Sequence, residues 1–328
     1  MNPNDAGVRV AVLAGSAHLA PSQHRLLDAL RQGAPAGFGV DLPGDGVAVG
    51  PCHDLIHTLG GHGHGHGHER EHKQRGRGHG LAAADRTRSR EVAALAREHW
   101  IGLVASYPSV PHELAPSDCR LILSPSCAAD ADLLRHGARP QQLWRWQPGV
   151  DRECFGPGHY RADILPRQDG QINVLHVGIP QSPALLEEAF AIAARQEPRL
   201  RLVMADVDGD LPALYASADL LAHLSTSPEF PLEIIEAQAS GLPVLALDAG
   251  AVPELIEDGR NGVLVPPTPH PLAEALISLA RRATLRERLT VGGLNAVRGR
   301  SWERSLAELT AAWTAALAPA GTQLVRAA

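Results

Sequence analysis

The chain has 328 residues, 44% of them hydrophobic, which suffices for two domains that each bury a core. A net charge of −6 argues against a general nucleic-acid binder, and no run approaches the roughly 20 apolar residues of a membrane span. The amino terminus lacks a basic stretch ahead of its short apolar segment. Cys52, Cys119, Cys127 and Cys154 show no Cys-x-x-Cys spacing, so a cytoplasmic protein with reduced thiols is expected, without paired disulfides or a zinc ribbon.

In chain order, residues 8–15 (VRVAVLAG) read as a buried strand, 21–31 as a helix with Leu26, Leu27 and Leu30 on one face, and 54–59 (DLIHTL) as a second strand. The tract 60–80 (GGHGHGHGHEREHKQRGRGHG) carries six histidines. Alternating His and Gly cannot build a packed core, so this is a flexible insertion. His62, His64, His66 and His68 have the chemistry to bind Zn²⁺, Ni²⁺ or Cu²⁺. Gly-spaced ligands are not fixed in place, so no catalytic metal site is expected from them. Residues 90–99 read as a helix, 102–108 and 120–126 as strands, and 127–136 as a helix ended by Gly137.

A second series begins after residue 170. Residues 173–178 (NVLHVG), 201–206 (RLVMAD), 219–224 (DLLAHL) and 244–248 (VLALD) read as strands, and 184–194 as a helix. The last stretch reads as helices over 271–282, 285–294 and 302–317. Such alternation predicts α/β domains with parallel sheets. The boundaries expected are a first domain over 1–150, a linker over 151–170, a second domain over 171–318 and a tail over 319–328.

The segment from Ser225 to Pro267 is the most informative. Pro231 suits the first position of a helix running from Leu232 to Ser240, which Gly241 and Pro243 stop, so strand, loop, helix and strand form a βαβ unit. Backbone N–H groups at that helix start would face outward from the carboxyl ends of the strands, where they favour a phosphate. The Glu236 carboxylate can accept both hydrogens of a ribose diol, and Glu229 can hold sugar hydroxyls in the same way.

This segment resembles the donor-binding core of the retaining family-4 glycosyltransferases of the group 1 type. Phe230, Leu232, Glu236, Ala237, Ala239, Gly241, Pro243 and Val244 carry the likeness, continued by Gly250, Pro253, Glu254, Gly259, Gly262 and Val265–Pro267. Gly149, Val150, Asp151, Phe155 and Pro157 match the family's interdomain link. The resemblance implies a GT-B fold, two Rossmann-like domains with parallel sheets facing a central cleft, whose last helix crosses back to the first domain. It also implies a hexosyltransferase that uses a nucleoside-diphosphate sugar as donor and requires no metal or cofactor. In this chain Glu236 would bind the ribose and Glu229 the hexose. The backbone of Phe230, Pro231 and Leu232 would receive the diphosphate, beside the strand that ends at Gly178. His57, in the Asp-x-x-His of DLIH, would be a cleft-facing catalytic residue on the acceptor side. The expected partners are the nucleotide sugar and a glycan or lipid acceptor, the latter met by peripheral contact with the cytoplasmic membrane face, and no nucleic acid.

The chain also departs from the family's pattern. Glu229 precedes Glu236 by seven positions where the family has eight, so Pro228 or Glu229 fills the acidic slot. After Gly178 the family places an Arg and a Lys that neutralise the donor diphosphate, whereas this chain has IPQSPALL, and Lys73 is its only lysine. Losing one such charge costs about 10²- to 10³-fold in rate. Arg195, Arg199, Arg201 or Arg260 would compensate only if the fold brought one inward. Pro108 stands where the family has a cleft-facing His, leaving His112 as the nearest substitute, and ADVDGD after Met204 is shorter than in relatives. Two alternatives therefore stand beside the transferase: a catalytically impaired GT-B scaffold that binds a nucleotide sugar or a partner, and a His-rich metal-binding protein.

Overall fold

The structure is a computed structural model. It describes residues 8–14, 29–31, 38–41, 55–59, 102–107, 114–165, 170–206 and 209–318. The His-rich tract, the helix expected at 90–99, His112 and the tail lie outside the described residues, as does most of the helix expected at 21–31.

The described chain divides into two units, one comprising the residues up to Gln147 with those from Glu303 on, the other Pro148–Trp302. The first unit contains β1 (Val8–Ala14), β2 (Phe38–Asp41), β3 (Leu55–Leu59), β4 (Gly102–Ser106), β5 (Leu121–Ser124), α1 (Cys127–Arg135) and β6 (Leu143–Arg145). Its strands form a parallel sheet in the order β2-β1-β3-β4-β5-β6. Helix α1 begins where the Ser126 hydroxyl accepts a hydrogen bond from Ala129 N at 2.9 Å, and it ends before Gly137, whose φ of +91° a side chain would strain.

The second unit contains β7 (Ile172–Val177), α2 (Pro183–Gln196), β8 (Leu200–Ala205), α3 (Leu211–Ser217), β9 (Leu220–His223), α4 (Leu232–Ala239), β10 (Val244–Leu247), β11 (Val263–Val265), α5 (Pro269–Arg281) and α6 (Ala283–Ala296). The sheet is parallel in the order β11-β10-β9-β7-β8. Its strands are apolar on both faces because helices cover both. Leu175, Leu221, Val244 and Ala246 pack with Ile234, Ile235 and Ala237 of α4, while Val174, Leu220, Ala222 and Leu245 pack with Leu186 and Ala189 of α2 and with Leu272 and Leu276 of α5. Each such aliphatic side chain, fully buried, contributes about 1.5–3 kcal/mol.

The last helix, α7 (Trp302–Leu317), belongs from Glu303 onward with the first unit, so the second unit ends at Trp302 and not at 318. Trp313 is fully buried, its ring 5.6 Å from Phe38 and 5.9 Å from His57 between centroids. Ser305 bonds to the segment before the boundary in two ways. Its carbonyl oxygen accepts from Trp146 Nε1 at 2.9 Å, and its hydroxyl donates to the Gln147 carbonyl at 2.9 Å.

Candidate functional site

In an open parallel sheet, ligands bind outside the carboxyl ends of the strands, where neighbouring strands send their connections to opposite faces. In the second unit that point falls between β7 and β9. Three loops gather at this edge. After β7, Gly178 adopts φ +77° and its N–H bonds the Ala205 carbonyl at 2.8 Å. Three residues on, Gln181 Oε1 accepts from Thr226 N at 2.9 Å and from its hydroxyl at 3.3 Å, tying this loop to the one that follows β9. The latter is braced from within, since Ser225 Oγ accepts from Ser227 N and Ser227 Oγ from Glu229 N, each at 3.1 Å. The loop after β10 completes the edge through the hydrogen bond from Ala251 N to the Ser227 carbonyl at 3.1 Å.

The residues expected to bind a donor fall along this edge. Glu229 and Phe230 lie in the loop after β9 and are partly exposed. Pro231 is the helix cap and not the first helical residue: its ψ of 87° is not helical, and Leu232 opens α4. No side chain caps the helix start. Glu236 lies on the second turn and is 3% exposed, in a helix whose other residues are buried except Glu233. From behind, Gln238 Nε2 donates to the Asn261 carbonyl at 3.0 Å, and Gly293 of α6 packs directly on Gln238.

His57 stands elsewhere. It is the middle residue of β3, two short of the strand end, and is 0% exposed, with Nε2 2.8 Å from Ser106 Oγ. Burial pushes its pKa down to about 3. A side chain so enclosed packs in the first unit's core. The four arginines offered as substitute cations are placed wrongly for the role. Arg195 is in the last turn of α2 and Arg199 and Arg201 at the start of β8, all at the amino edge of the sheet, and Arg199 bonds Glu197 at 2.7 Å. Arg260, in the turn before β11, bonds Glu257 at 2.7 Å.

Three residues at this edge were not foreseen. Arg300 holds its guanidinium 6.0 Å from the centroid of the Phe230 ring, at the entrance to α4. His176 is the penultimate residue of β7 and His223 the last of β9, and Glu233 in the first turn of α4 acts electrostatically on His176. The signal for the histidines was present, since each interrupts a mainly apolar strand. Nothing in the sequence joins Arg300 to Phe230, 70 positions away. Among the described residues no group of three or more His, Cys, Asp or Glu side chains is arranged to hold a metal ion, and no helix is long and apolar enough to cross a membrane.

The architecture is that of the GT-B glycosyltransferases. The structure of Anabaena HepE in complex with UDP has a TM-score of 0.70 to this chain, covering 94% of it and 100% of that chain at 17% identity. Residues 160–282, within the second unit, match the family described as "Glycosyl transferases group 1". Among curated relatives, the chain is 38% identical over 237 residues to a D-inositol 3-phosphate glycosyltransferase of Actinosynnema mirum, covering 59% of this chain and 57% of the relative. It is 31% identical over 204 residues to a GDP-mannose-dependent alpha-mannosyltransferase of Mycobacterium tuberculosis, covering 55% of this chain and 52% of the relative. The chain thus spans about half the length of the curated relatives it matches.

Proposed function

We propose that this chain is a hexosyltransferase that binds a nucleoside-diphosphate sugar at the carboxyl edge of the second unit's sheet and transfers the hexose, with retention of configuration, to a glycan or lipid hydroxyl. The observation that carries this reading is the convergence at one edge of Glu229, the uncapped start of α4 and Glu236. The backbone N–H groups and dipole at the start of α4 receive the diphosphate. Glu236 holds the ribose diol and Glu229 the hexose hydroxyls. Arg300, held over Phe230, is the nearest guanidinium to this helix start among the contacts seen and supplies one counter-charge to the leaving diphosphate. The reaction breaks the bond from the anomeric carbon to the diphosphate oxygen and forms one to the acceptor oxygen, whose proton leaves with the nucleotide. Donor recognition is tested by calorimetric titration with UDP, GDP and ADP and their hexose conjugates. Specific binding, weakened at least tenfold in Glu236→Ala, is expected, and absence of binding to all of them would refute the reading.

A second reading is a GT-B scaffold that binds the nucleotide sugar with little turnover. It is favoured by Ile179, which is 83% exposed at the position where the resemblance implies an arginine. Under this reading the protein binds donor as above, but incubation with a labelled donor and a lipid or glycan extract gives no transfer, and Ile179→Arg with Ala184→Lys does not create it.

A further inference from the structure

The ladder between β7 and β9 stops short. β7 pairs with β8 as far as Val177, yet with β9 only at Val174–Leu220 and Leu175–Leu221, although β9 continues to His223 and pairs there with Ala246 of β10. His176 fills the gap with its ring: Nδ1 lies 2.8 Å from the Ala222 carbonyl oxygen. A carbonyl can only accept, so Nδ1 carries the hydrogen and Nε2 of the neutral ring is left with a lone pair. His176 is 5% exposed, and its Nε2 is buried without a hydrogen-bond partner among the described residues. The Nε2 of His223 is in the same condition. A buried ring nitrogen without a partner is costly, and here it stands at the point between β7 and β9 where this sheet order places a ligand.

Resting on the reading above, we infer that His176 takes up a proton from solvent when the nucleoside-diphosphate sugar binds, and that the resulting imidazolium is a counter-charge to the diphosphate. It occupies the strand whose following loop, IPQSPALL, contains no cation. Before binding, burial lowers the pKa of His176, while the bond to Ala222 and the charge of Glu233 act in the opposite direction, so the ring is neutral near pH 7. A diphosphate nearby favours the charged ring. The charges acting on His176 are few. Glu233 of α4 attracts the proton, His223 of β9 stays neutral because burial and the neighbouring His176 push its pKa down to about 4, the strand partners Met204 and Ala222 carry no charge, and α2 has no acidic residue in its first turn. Proton uptake on binding means that affinity rises as pH falls from 8 to 6, by at most about tenfold per pH unit.

The test is titration calorimetry of the full chain with UDP-glucose and with GDP-mannose at pH 7, in PIPES and in Tris, whose ionisation enthalpies differ. Neither sugar nucleotide has a diphosphate group that titrates near neutrality, so any buffer dependence of the heat reports protons exchanged by the protein. Net proton uptake on binding is expected for the wild type. It should be lost in His176→Asn, whose side-chain amide can still reach the Ala222 carbonyl. Binding by the wild type with no net proton exchange overturns the inference and leaves the donor-binding reading intact, without need of the variant. Uptake that persists undiminished in His176→Asn assigns the proton to another group and also overturns it. Failure of both sugar nucleotides to bind the wild type removes the reading itself, and the inference with it.

Discussion

Gly250 lies so close to Ser227 that a Cβ placed on it would overlap the Ser227 carbonyl oxygen, which also accepts the hydrogen bond from Ala251 N at 3.1 Å. This approach brings the loop after β10 against the loop that carries Glu229. The backbone of Gly250, at φ +59°, is itself in the region that only glycine enters freely. Gly250→Ala is expected to destabilise the second unit by about 2–5 kcal/mol, the sum of a left-handed backbone penalty and an overpacking penalty. Urea unfolding followed by circular dichroism measures it, and an unchanged midpoint would show that the loops separate without cost.

Arg300 offers a second test, since a guanidinium that contacts a diphosphate contributes through a charge-assisted hydrogen bond. Arg300→Ala is expected to weaken binding of the donor nucleotide by about 10- to 100-fold. The wild-type affinity should fall with added salt more steeply than that of the variant. Equal affinities of the two proteins for UDP and GDP would exclude the contact.

Glu197, almost buried, accepts from Arg199 Nε at 2.7 Å and from Arg281 Nε at 3.2 Å, joining the end of α2, the start of β8 and the end of α5. The bond from Arg199 is the main cause that holds its pKa down at about 2, against an ordinary 4.5. A carboxylate depressed in this way stabilises the fold above about pH 4.5, and the contribution is lost as pH falls towards 2. Both arginines are about half exposed, so solvent screens the pairs and the effect is modest, about 1 kcal/mol. Glu197→Gln should lower the urea midpoint at pH 7, and the gap to wild type should close between pH 4.5 and 2.

His57 acts in the same direction on acidification but over a higher pH range. The unfolded chain binds a proton at this ring near pH 6.5, whereas the folded chain resists it down to about 3. Its contribution is therefore complete above about pH 6.5 and is lost as pH falls from there towards 3, at about 1.4 kcal/mol per pH unit. His57→Gln, which retains a group able to bond Ser106, should be less stable than wild type at pH 7 and lose less stability between pH 7 and pH 5. Denaturant titrations at the two pH values give the comparison.

What the sequence disclosed depended on how local each determinant is. The mainly apolar run at Val174–Val177 and the apolar runs at Leu220–Ala222 and Val244–Leu247 are self-declaring, and Gly241, at φ +77°, ends α4 where expected. The signals for α3 were also present but unread: Asp210 caps it by accepting from Ala213 N at 3.3 Å, and Pro212 lies in its first turn. Three-residue strands such as β6 and β11 are too short to show a period. The partners of polar residues in strands are hidden where they are remote in sequence. Nothing local reveals Ser106, 49 residues on, as the hydrogen-bond partner of His57. Strand direction decides the fate of the arginines, since Arg201 is the second residue of β8 whereas His176 nears the end of β7, and open parallel sheets take ligands at the carboxyl edge.

Ile179 has a consequence for engineering. A side chain 83% exposed adds almost nothing to the core, so exchanging it should cost folding no more than about 0.5 kcal/mol. The position immediately after Gly178 is in effect a free socket on a rigid strand end. Charged, aromatic or photoreactive side chains can be installed there without repacking, so that under the proposed donor-binding reading the value of a single added cation can be read directly.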